Sequence, residues 1–218
     1  MIAVIQCAAR KSPDAGHLVT ASGKPVVFVA NPQAAPSDPL RMYARPDGHS
    51  GNGGSWRQVL LRYNEENVGN PLGLLQAYRL YARKEYGRLV DRYGVKQVYI
   101  LSAGWGLIRA DFLTPDYDIT YSGSADGYKR RNKDDLYDDL CMLPDDIEDE
   151  IVFFGGKDYL QLFCSLTIAV NAKKTVFYNS AQRPHVTGCR LKRFNTKTRT
   201  NWHYECANAF IDGAIGPD

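Results

Sequence analysis

Short apolar runs alternate with amphipathic stretches along this chain. Five apolar runs have the length of buried strands, and they cover residues 1–6, 24–30, 98–101, 151–154 and 175–178. From Leu75 to Tyr93, apolar residues recur every three to four positions, which predicts a long amphipathic helix closed by Gly94. Strands separated by helices predict an α/β three-layer sandwich with a mostly parallel central sheet.

Three further helices are predicted from local start signals. Ser55 can cap a helix that follows it, a second helix starts after Gly155-Gly156, and the last starts near Asn201. Residues 31–54 are rich in Pro, Gly, Asn and Ala and show almost no helical or strand period, so we expect a long loop there. A chain of 218 residues can bury one substantial core, and we expect a single α/β domain over residues 1–218.

Composition excludes several classes of protein. No apolar run is long enough to span a bilayer, and the apolar start Met1–Ile5 lacks the charged region of a signal peptide. The five cysteines are widely spaced and form no Cys-x-x-Cys pair, which argues against a zinc site or a disulfide framework. We therefore expect reduced thiols, a cytoplasmic location, no membrane partner, and no metal or other cofactor.

The distribution of charge says more than the net charge of +3. No Asp or Glu occurs from Tyr159 through Tyr204, where basic residues are interleaved with aromatic ones. Cations contact phosphates, and aromatic rings stack on unpaired bases, so the basic segment 173–204 predicts a face for nucleic acid. The acidic stretch 134–150 is an alternative, internal partner. The predicted nucleic-acid contacts are Lys173, Lys174, Arg190, Lys192, Arg193, Lys197 and Arg199.

The strand at residues 98–101 opens into a loop that combines small, aromatic and acidic residues. Ligands of open α/β sheets bind just beyond the carboxyl ends of strands, so this loop is a candidate site. Asp116 and Asp118 are the candidate catalytic groups, because a carboxylate can orient water or stabilise a sugar cation. Alternatively, these aspartates only cap turns. The candidate contacts to a ligand are Ser102, Gly104, Trp105, Gly106 and Tyr117, with Trp105 and Tyr117 stacking on a base.

Two other strand ends should share the same edge of the sheet. Cys7 follows the first strand and is either a nucleophile or a small half-buried residue, and Lys11 is a candidate phosphate ligand. Gly155-Gly156-Lys157 leads the strand at 151–154 into a helix, where free N–H groups can bind a phosphate or the glycines simply permit packing. Arg131 is a further candidate phosphate contact.

Three blocks of the chain resemble one family. Residues 101–118 (LSAGWGLIRADFLTPDYD) resemble the "LSAxYGLLxPxxxIxPYD" signature of the YaaA-like family, which comprises the peroxide-stress protein YaaA and its small relatives of unknown function. Residues 5–11 and 151–159 are similar to two shorter motifs of the small relatives. Trp105 stands where the family has Tyr, and residues 115–118 carry an extra or altered residue. The resemblance implies an α/β fold with the layout of uracil-DNA glycosylases, and DNA binding, although the glycosylase motif Gly-Gln-Asp-Pro-Tyr-His is absent.

Three functional hypotheses follow. The first is a nucleic-acid-directed, DNA glycosylase-like enzyme that acts on a base, normal or modified, after flipping it into a pocket. The second is a DNA-binding protein without catalytic activity. The third is an N-glycosidase or transferase for free nucleosides or nucleotides, with the phosphate on the Gly155-Gly156 turn. The model of the site requires that the ends of the strands at residues 1–6, 98–102 and 151–154 surround a single pocket.

Overall fold

The computed structural model describes residues 1–51, 53–66 and 69–217. None of the helices within these ranges combines the length and the apolar character needed to cross a bilayer. The α-helices are α1 (Trp56–Glu66), α2 (Ala77–Leu80), α3 (Lys84–Tyr93), α4 (Lys157–Leu166) and α5 (Trp202–Ile211). The strands are β1 (Ile2–Gln6), β2 (Val26–Val29), β3 (Met42–Ala44), β4 (Leu75–Gln76), β5 (Val98–Ser102), β6 (Gly106–Arg109), β7 (Leu113–Thr114), β8 (Tyr117–Asp118), β9 (Leu140–Cys141), β10 (Ile151–Phe154), β11 (Lys174–Tyr178) and β12 (Arg190–Arg193).

Seven strands form the central sheet, in the order β12-β11-β10-β1-β5-β6-β9. The strands from β12 to β5 are parallel to one another, whereas β6 runs antiparallel to β5 and parallel to β9. The mostly parallel sheet predicted from the apolar runs is therefore confirmed. Two small sheets, β3-β2-β8 and β4-β7, lie outside it.

The order of the parallel strands determines where a crevice opens. Numbered along the chain, these five strands follow the order 2-1-3-4-5, because the chain passes from β1 to β5 on one side and later to β10 on the other. In such sheets the connections leave the two central strands on opposite faces, and a crevice forms beyond their carboxyl ends. In this protein the crevice must lie between the ends of β1 and β10.

Helices cover both faces of the sheet. Phe153 on β10 stacks on Phe163 of α4, with ring centroids 4.5 Å apart. The next residue, Phe154, contacts Phe210 of α5 at 5.2 Å. Because successive side chains of a strand point to opposite faces, α4 and α5 lie on opposite sides of the sheet. The α/β architecture is thus built of helix, sheet and helix layers.

The prediction of one long helix over residues 75–93 is wrong. The structure divides this stretch into β4, α2 and α3, and Tyr81 has extended backbone angles between the two helices. Tyr81 pairs with Lys11 in an isolated antiparallel bridge, and its hydroxyl group lies 2.8 Å from that of Tyr117. These hydrogen bonds to distant parts of the chain outweigh the local helical period, as tertiary contacts often do.

The predicted long loop at 31–54 contains one strand. Residues Met42–Ala44 form β3, which pairs in parallel with β2, so the loop prediction is wrong at these positions; Asn52 lies outside the described residues. The helix start after Ser55 is confirmed. Ser55 Oγ accepts a hydrogen bond from the Gln58 amide, and Gln58 Oε1 accepts one from the Ser55 amide, which is a capping box.

Two buried arginines hold the loop between β5 and β6. The Arg57 guanidinium donates to the carbonyl oxygens of Gly104 (3.0 Å) and Trp105 (2.9 Å), and Arg131 donates to that of Ala103 (2.8 Å). Both side chains are almost inaccessible, with 2% and 4% of the residue exposed. Arg131 also forms a buried ion pair with Asp139 at 2.6 Å. Three successive carbonyl groups of the loop therefore accept hydrogen bonds from distant side chains, and that of Trp105 also accepts one from the Leu140 amide at 3.1 Å.

We predict that Arg131→Met strongly destabilises the fold. The variant leaves the Asp139 carboxylate buried without its partner, a change that typically costs about 3–5 kcal/mol. The matched control is Arg130→Met, because Arg130 is the exposed neighbour and should change the free energy of unfolding by less than about 0.5 kcal/mol. Urea unfolding followed by circular dichroism measures both values. Equal stability of the two variants would contradict a structural role for the buried pair.

Candidate functional site

The ends of β1, β5 and β10 meet in a buried polar cluster. Cys7 follows β1, and its Sγ lies 3.1 Å from the hydroxyl oxygen of Tyr159, three residues into α4. Ser102 ends β5, and its hydroxyl group donates to Tyr117 at 2.8 Å. Tyr117 in turn lies 2.8 Å from the hydroxyl group of Tyr81. The three strand ends therefore come together beneath the surface, but they do not surround a single cleft, because the end of β5 is buried.

The phenols of this cluster are neutral. Burial raises the pKa of Tyr81, Tyr117 and Tyr159 well above the ordinary value, and the neighbouring Cys7 raises each further. A protonated phenol can donate a hydrogen bond at any physiological pH, but it does not act as a base there. The cluster therefore forms a rigid, hydrogen-bonded floor.

A pocket of about 440 Å³ opens above this floor. We call it the aspartate pocket. Lys11 lies over the floor with its Nζ 4.2 Å from the centroid of the Tyr117 ring, and β8 carries Asp118 beside β2 through the pair Val29–Asp118. The structure thus brings together Lys11, Val29 and Asp118, which are far apart in sequence. Its charged and aromatic lining comprises Lys11, Arg41, Tyr43, Asp116, Tyr117, Asp118, Tyr128 and Lys129.

The two aspartates of the pocket have different environments. Asp116 accepts a hydrogen bond from the Tyr117 amide at 2.8 Å, which ties its carboxylate to the backbone. Asp118 has a half-exposed side chain, and its Oδ2 lies 3.0 Å from Nζ of Lys129. The Oδ1 of Asp118 has no hydrogen-bond partner among the described residues. Each carboxylate thus has one oxygen bonded within the protein and one oxygen without a hydrogen-bond partner among the described residues.

Lys11 is the cation closest to the floor of the pocket. Burial lowers its pKa, and this effect is opposed by the charges of Cys7, Asp116 and Asp118. Lys129, by contrast, is held between Asp118 and Asp126, and these two hydrogen bonds raise its pKa. Of the two lysines of the pocket, Lys11 therefore transfers its proton more easily than Lys129.

A second cleft, of about 380 Å³, lies between the carboxyl ends of β1 and β10. We call it the switch-point crevice. It is lined by Cys7, Tyr159, Arg199 and His203 among others, and Ala9 lines both this crevice and the aspartate pocket. The two clefts are therefore neighbours on one edge of the sheet, as the strand order requires.

The loop at 102–106 does not line either cleft. Ser102, Gly104, Trp105 and Gly106 are all buried, and the Trp105 ring packs against Phe28 with centroids 4.9 Å apart. A base cannot stack on Trp105, and Tyr117 is only 1% exposed. The expected direct contacts of Ser102, Gly104, Trp105 and Gly106 with a ligand must therefore be corrected. The stacking of a base on Tyr117 must be corrected too, because its ring lines the pocket beneath Lys11. They form and support the floor, because their apolar rings gain more from burial than from a surface position.

The glycines of this loop serve packing. Gly104 lies against Tyr117, whose ring would be 3.1 Å from an added Cβ. Gly106 has a φ of 86°, and a Cβ there would lie 2.3 Å from the carbonyl oxygen of Leu140 on β9. A glycine is required at position 106 because β6 approaches β9 closely there. No ligand is needed to explain it.

Two further candidates are also structural. Arg131 is buried in its ion pair with Asp139, so it cannot contact a phosphate at the surface. At the other turn, an added Cβ on Gly155 would lie 2.2 Å from the Phe153 ring, and the Gly156 amide donates to Oε1 of Gln6 at 2.6 Å. The packing interpretation of the Gly155-Gly156 turn is the one that fits. Lys157 is exposed at the start of α4.

The seven basic residues of segment 173–204 that were predicted to contact nucleic acid do not form one face. Lys174 donates to the carbonyl oxygens of Thr167 and Val170, and Lys173 lies beside Glu150; both are at the amino ends of the strands. On β12, the side chains of Arg190 and Lys192 donate to carbonyl groups near the C-terminus. The predicted residues that remain as exposed cations nearer the carboxyl edge are Arg193, Lys197 and Arg199.

Four residues of the two clefts had no candidate role in the sequence. Tyr43 lies in the stretch expected to be a loop, and Tyr128 and Lys129 lie in a basic run without a recognisable period. His203 is 4% exposed, and its Nε2 has no hydrogen-bond partner among the described residues. Burial, assisted by the charge of Arg83, lowers the pKa of His203 from 6.5 to about 4. Only the tertiary structure places these side chains.

We predict that His203 makes the stability depend on pH. The unfolded chain binds a proton at His203 below pH 6.5, but the folded protein does so only near pH 4, so the contribution is complete above pH 6.5 and is lost as the pH falls toward 4. Between pH 7 and pH 4 the unmodified protein should lose about 3 kcal/mol more stability than His203→Gln. Denaturant unfolding at the two pH values tests this.

The control is His185→Gln, because His185 is exposed. This variant should show the same pH dependence as the unmodified protein. A His203→Gln variant whose stability falls just as steeply with pH would show that His203 titrates normally.

Comparison with protein-family models, with curated proteins and with solved structures gives no significant match to this chain. Within the described residues, no group of three or more His, Cys, Asp or Glu side chains is arranged to hold a metal ion. The resemblance to the YaaA-like family therefore stays a prediction, and the interpretation of the site depends on the geometry of the two clefts.

Proposed function

We propose that this protein binds a nucleotide unit at the carboxyl edge of its sheet and breaks the N-glycosidic bond of that unit. The observation that carries the proposal is the joint presence of Lys11, Asp116 and Asp118 in one pocket of about 440 Å³. This volume is in the range of pockets for small ligands. A strand of DNA is the proposed source of the nucleotide, and the glycosylase-like layout implied by the family resemblance is part of the same proposal.

Asp118 is the proposed catalytic carboxylate. As the bond between C1′ and the base nitrogen breaks, its electron pair leaves with the base and the sugar becomes cationic. A carboxylate beside the sugar stabilises that cation and takes a proton from the water that attacks C1′. Asp118 is suited to this role because its side chain is 48% exposed and its Oδ1 has no hydrogen-bond partner among the described residues.

Lys11 is the proposed partner of the departing base. Its ammonium group can donate a hydrogen bond or a proton to the base as negative charge develops there. The lowered pKa of Lys11, caused by burial, makes this proton easier to transfer. Asp116 and Asp118 favour the charged form of Lys11, so the three groups act as one electrostatic unit.

The base itself is proposed to bind against tyrosine rings. Tyr43 and Tyr128 line the pocket and meet edge to face, with centroids 6.0 Å apart. Aromatic side chains stack on bases without regard to sequence. These two rings take the place of Trp105 and Tyr117, whose faces are covered in the structure.

Exposed cations around the clefts support an anionic substrate. Arg10 and Arg83 are exposed at this edge, and neither forms an ion pair with a described carboxylate. Arg199 lines the switch-point crevice and is likewise unpaired. Such groups attract polyanions and contact phosphates. They support the DNA substrate that the basic segment first suggested.

A free nucleotide is the second candidate substrate. Four of the seven predicted DNA contacts, Lys173, Lys174, Arg190 and Lys192, are occupied elsewhere in the fold. The remaining basic surface is short, and the two adjoining clefts have the size of ligand pockets. These observations favour a ligand no longer than a few nucleotides, either free or at the end of a strand.

The test is to measure base release by the purified protein. The substrates are single- and double-stranded oligonucleotides with unmodified and modified bases, free nucleosides and free nucleotides, and the product is detected by mass spectrometry. Loss of a general base typically reduces the rate about 10²–10⁴-fold, and we expect Asp118→Asn to fall in this range. The matched control is Asp126→Asn, because Asp126 also pairs with Lys129 but does not line the pocket.

Two outcomes would overturn parts of the proposal. Undiminished base release by Asp118→Asn would exclude the catalytic role of that residue. Absence of any released base, together with salt-sensitive DNA binding that weakens in Arg193→Gln and Arg199→Gln, would favour the non-catalytic DNA-binding hypothesis instead.

A further inference from the structure

The switch-point crevice contains the start of α5 as well as the ends of β1 and β10. Asn201, the residue before the helix, has a φ of 62° and makes no capping hydrogen bond with its side chain. The amide groups of Trp202 and His203 donate to no acceptor among the described residues. A helix of ten residues with an uncapped start presents free N–H groups and the positive end of its dipole to the crevice.

His203 provides a second, independent indication of a ligand. His203 is only 4% exposed, it lines the crevice, and its Nε2 lacks a hydrogen-bond partner among the described residues. A buried polar atom without a hydrogen bond is costly and needs an explanation, such as a missing ligand or water. With a pKa of about 4 the imidazole is neutral, so Nε2 can carry a proton and donate it to an anion.

The charged groups around His203 favour an anion. Arg199 lines the crevice just before α5, and the Arg83 guanidinium lies 5.0 Å from the ring of Tyr204, next to His203. The carboxylate that faces the crevice is Asp158 of α4, and its charge is offset by Lys133 at 2.9 Å. Cys7 and Tyr159 complete the facing wall as a hydrogen-bonded pair.

We propose that the switch-point crevice binds the phosphate monoester of a nucleotide, through Arg199, the imidazole of His203 and the free amide groups at the start of α5. The proposal rests on the proposed function in one respect: the sugar and base of the same nucleotide occupy the aspartate pocket. Ala9 borders both clefts, so one ligand can reach from one to the other. The substrate class is then a nucleotide that ends in a phosphate, either free or at the 5′ end of a strand.

The ionisation of His203 reports directly on anion binding. We would follow the histidine ring resonances by NMR in the intact protein while inorganic phosphate is added. A bound anion favours the charged imidazole, so the pKa of His203 should rise from about 4 by one unit or more, as expected for an opposite charge within ∼4–6 Å. The ring resonances of the exposed His49 and His185 should not move when phosphate is added at constant pH. An unchanged His203 pKa at 10 mM phosphate, roughly the concentration needed to saturate a millimolar site, would overturn the proposal.

Matched variants test the contribution of Arg199. Losing a charge-assisted hydrogen bond to phosphate should weaken binding about tenfold or more, and we expect this for Arg199→Gln with inorganic phosphate and with a 5′-nucleotide. Lys96→Gln is the control, because it removes one positive charge from an exposed side chain at the amino end of β5, which does not line the crevice. Its affinity should stay within about twofold. Equal affinities of the two variants would exclude a specific contact by Arg199.

Ligand comparison identifies the source of the phosphate. A free 5′-nucleotide should bind at least about tenfold more tightly than its nucleoside, and a 5′-phosphorylated oligonucleotide more tightly than the same oligonucleotide with a 5′-hydroxyl group. The tighter of the two phosphorylated ligands is the preferred source, and equal binding of each ligand with and without its phosphate would reject the site. Phosphate binding without any base release would leave this inference intact while rejecting the proposed glycosidase.

Discussion

The hydrogen bonds of two buried guanidinium groups to the loop after β5 fix the geometry on which both clefts depend. Arg57 comes from α1, and Arg131 comes from the segment before β9, yet both end on the carbonyl oxygens of residues 103–105. In a low-dielectric interior such bonds are strong, and breaking them leaves the carbonyl groups of Ala103 and Gly104 without partners among the described residues. The loop is therefore held rigidly below the surface, and β6 can return beside β5.

This rigid loop determines what the site can be. Ser102 and Tyr117 bond to each other beneath the surface, and Tyr117 offers one face of its ring to Lys11. The neutral phenols of the floor place no negative charge of their own beneath Lys11, while Asp116 and Asp118 stand beside it. A cation and two carboxylates thus meet over an uncharged surface, where electrostatic interactions are stronger than in water. The same floor, continued through Cys7 and Tyr159, is the wall of the switch-point crevice.

Local sequence patterns were informative where the local signal and the tertiary environment agree. Residues 151–154 are apolar on both faces because helices cover both sides of β10, and the strand was predicted correctly. Ser55 and Gln58 lie three residues apart in the sequence, and the hydrogen bond between them caps α1. Tyr81 is the opposite case: its spacing fits a helix, but its hydrogen bonds to residues far away in the chain extend the backbone there. Trp105 is similar, since an aromatic residue between glycines looks accessible but is buried.

The sequence by itself determined the α/β class, the parallel strands and the chain segments whose ends approach one another, because these follow from apolar periodicity and from the chemistry of helix and strand ends. Only the tertiary structure decided which side chains at those ends reach a cleft. Lys11, Asp118 and His203 line clefts, whereas Trp105 and Arg131 are buried in the floor or beneath it. The reason is physical: burial depends on contacts between residues far apart in the chain, and a local pattern carries no information about those distances.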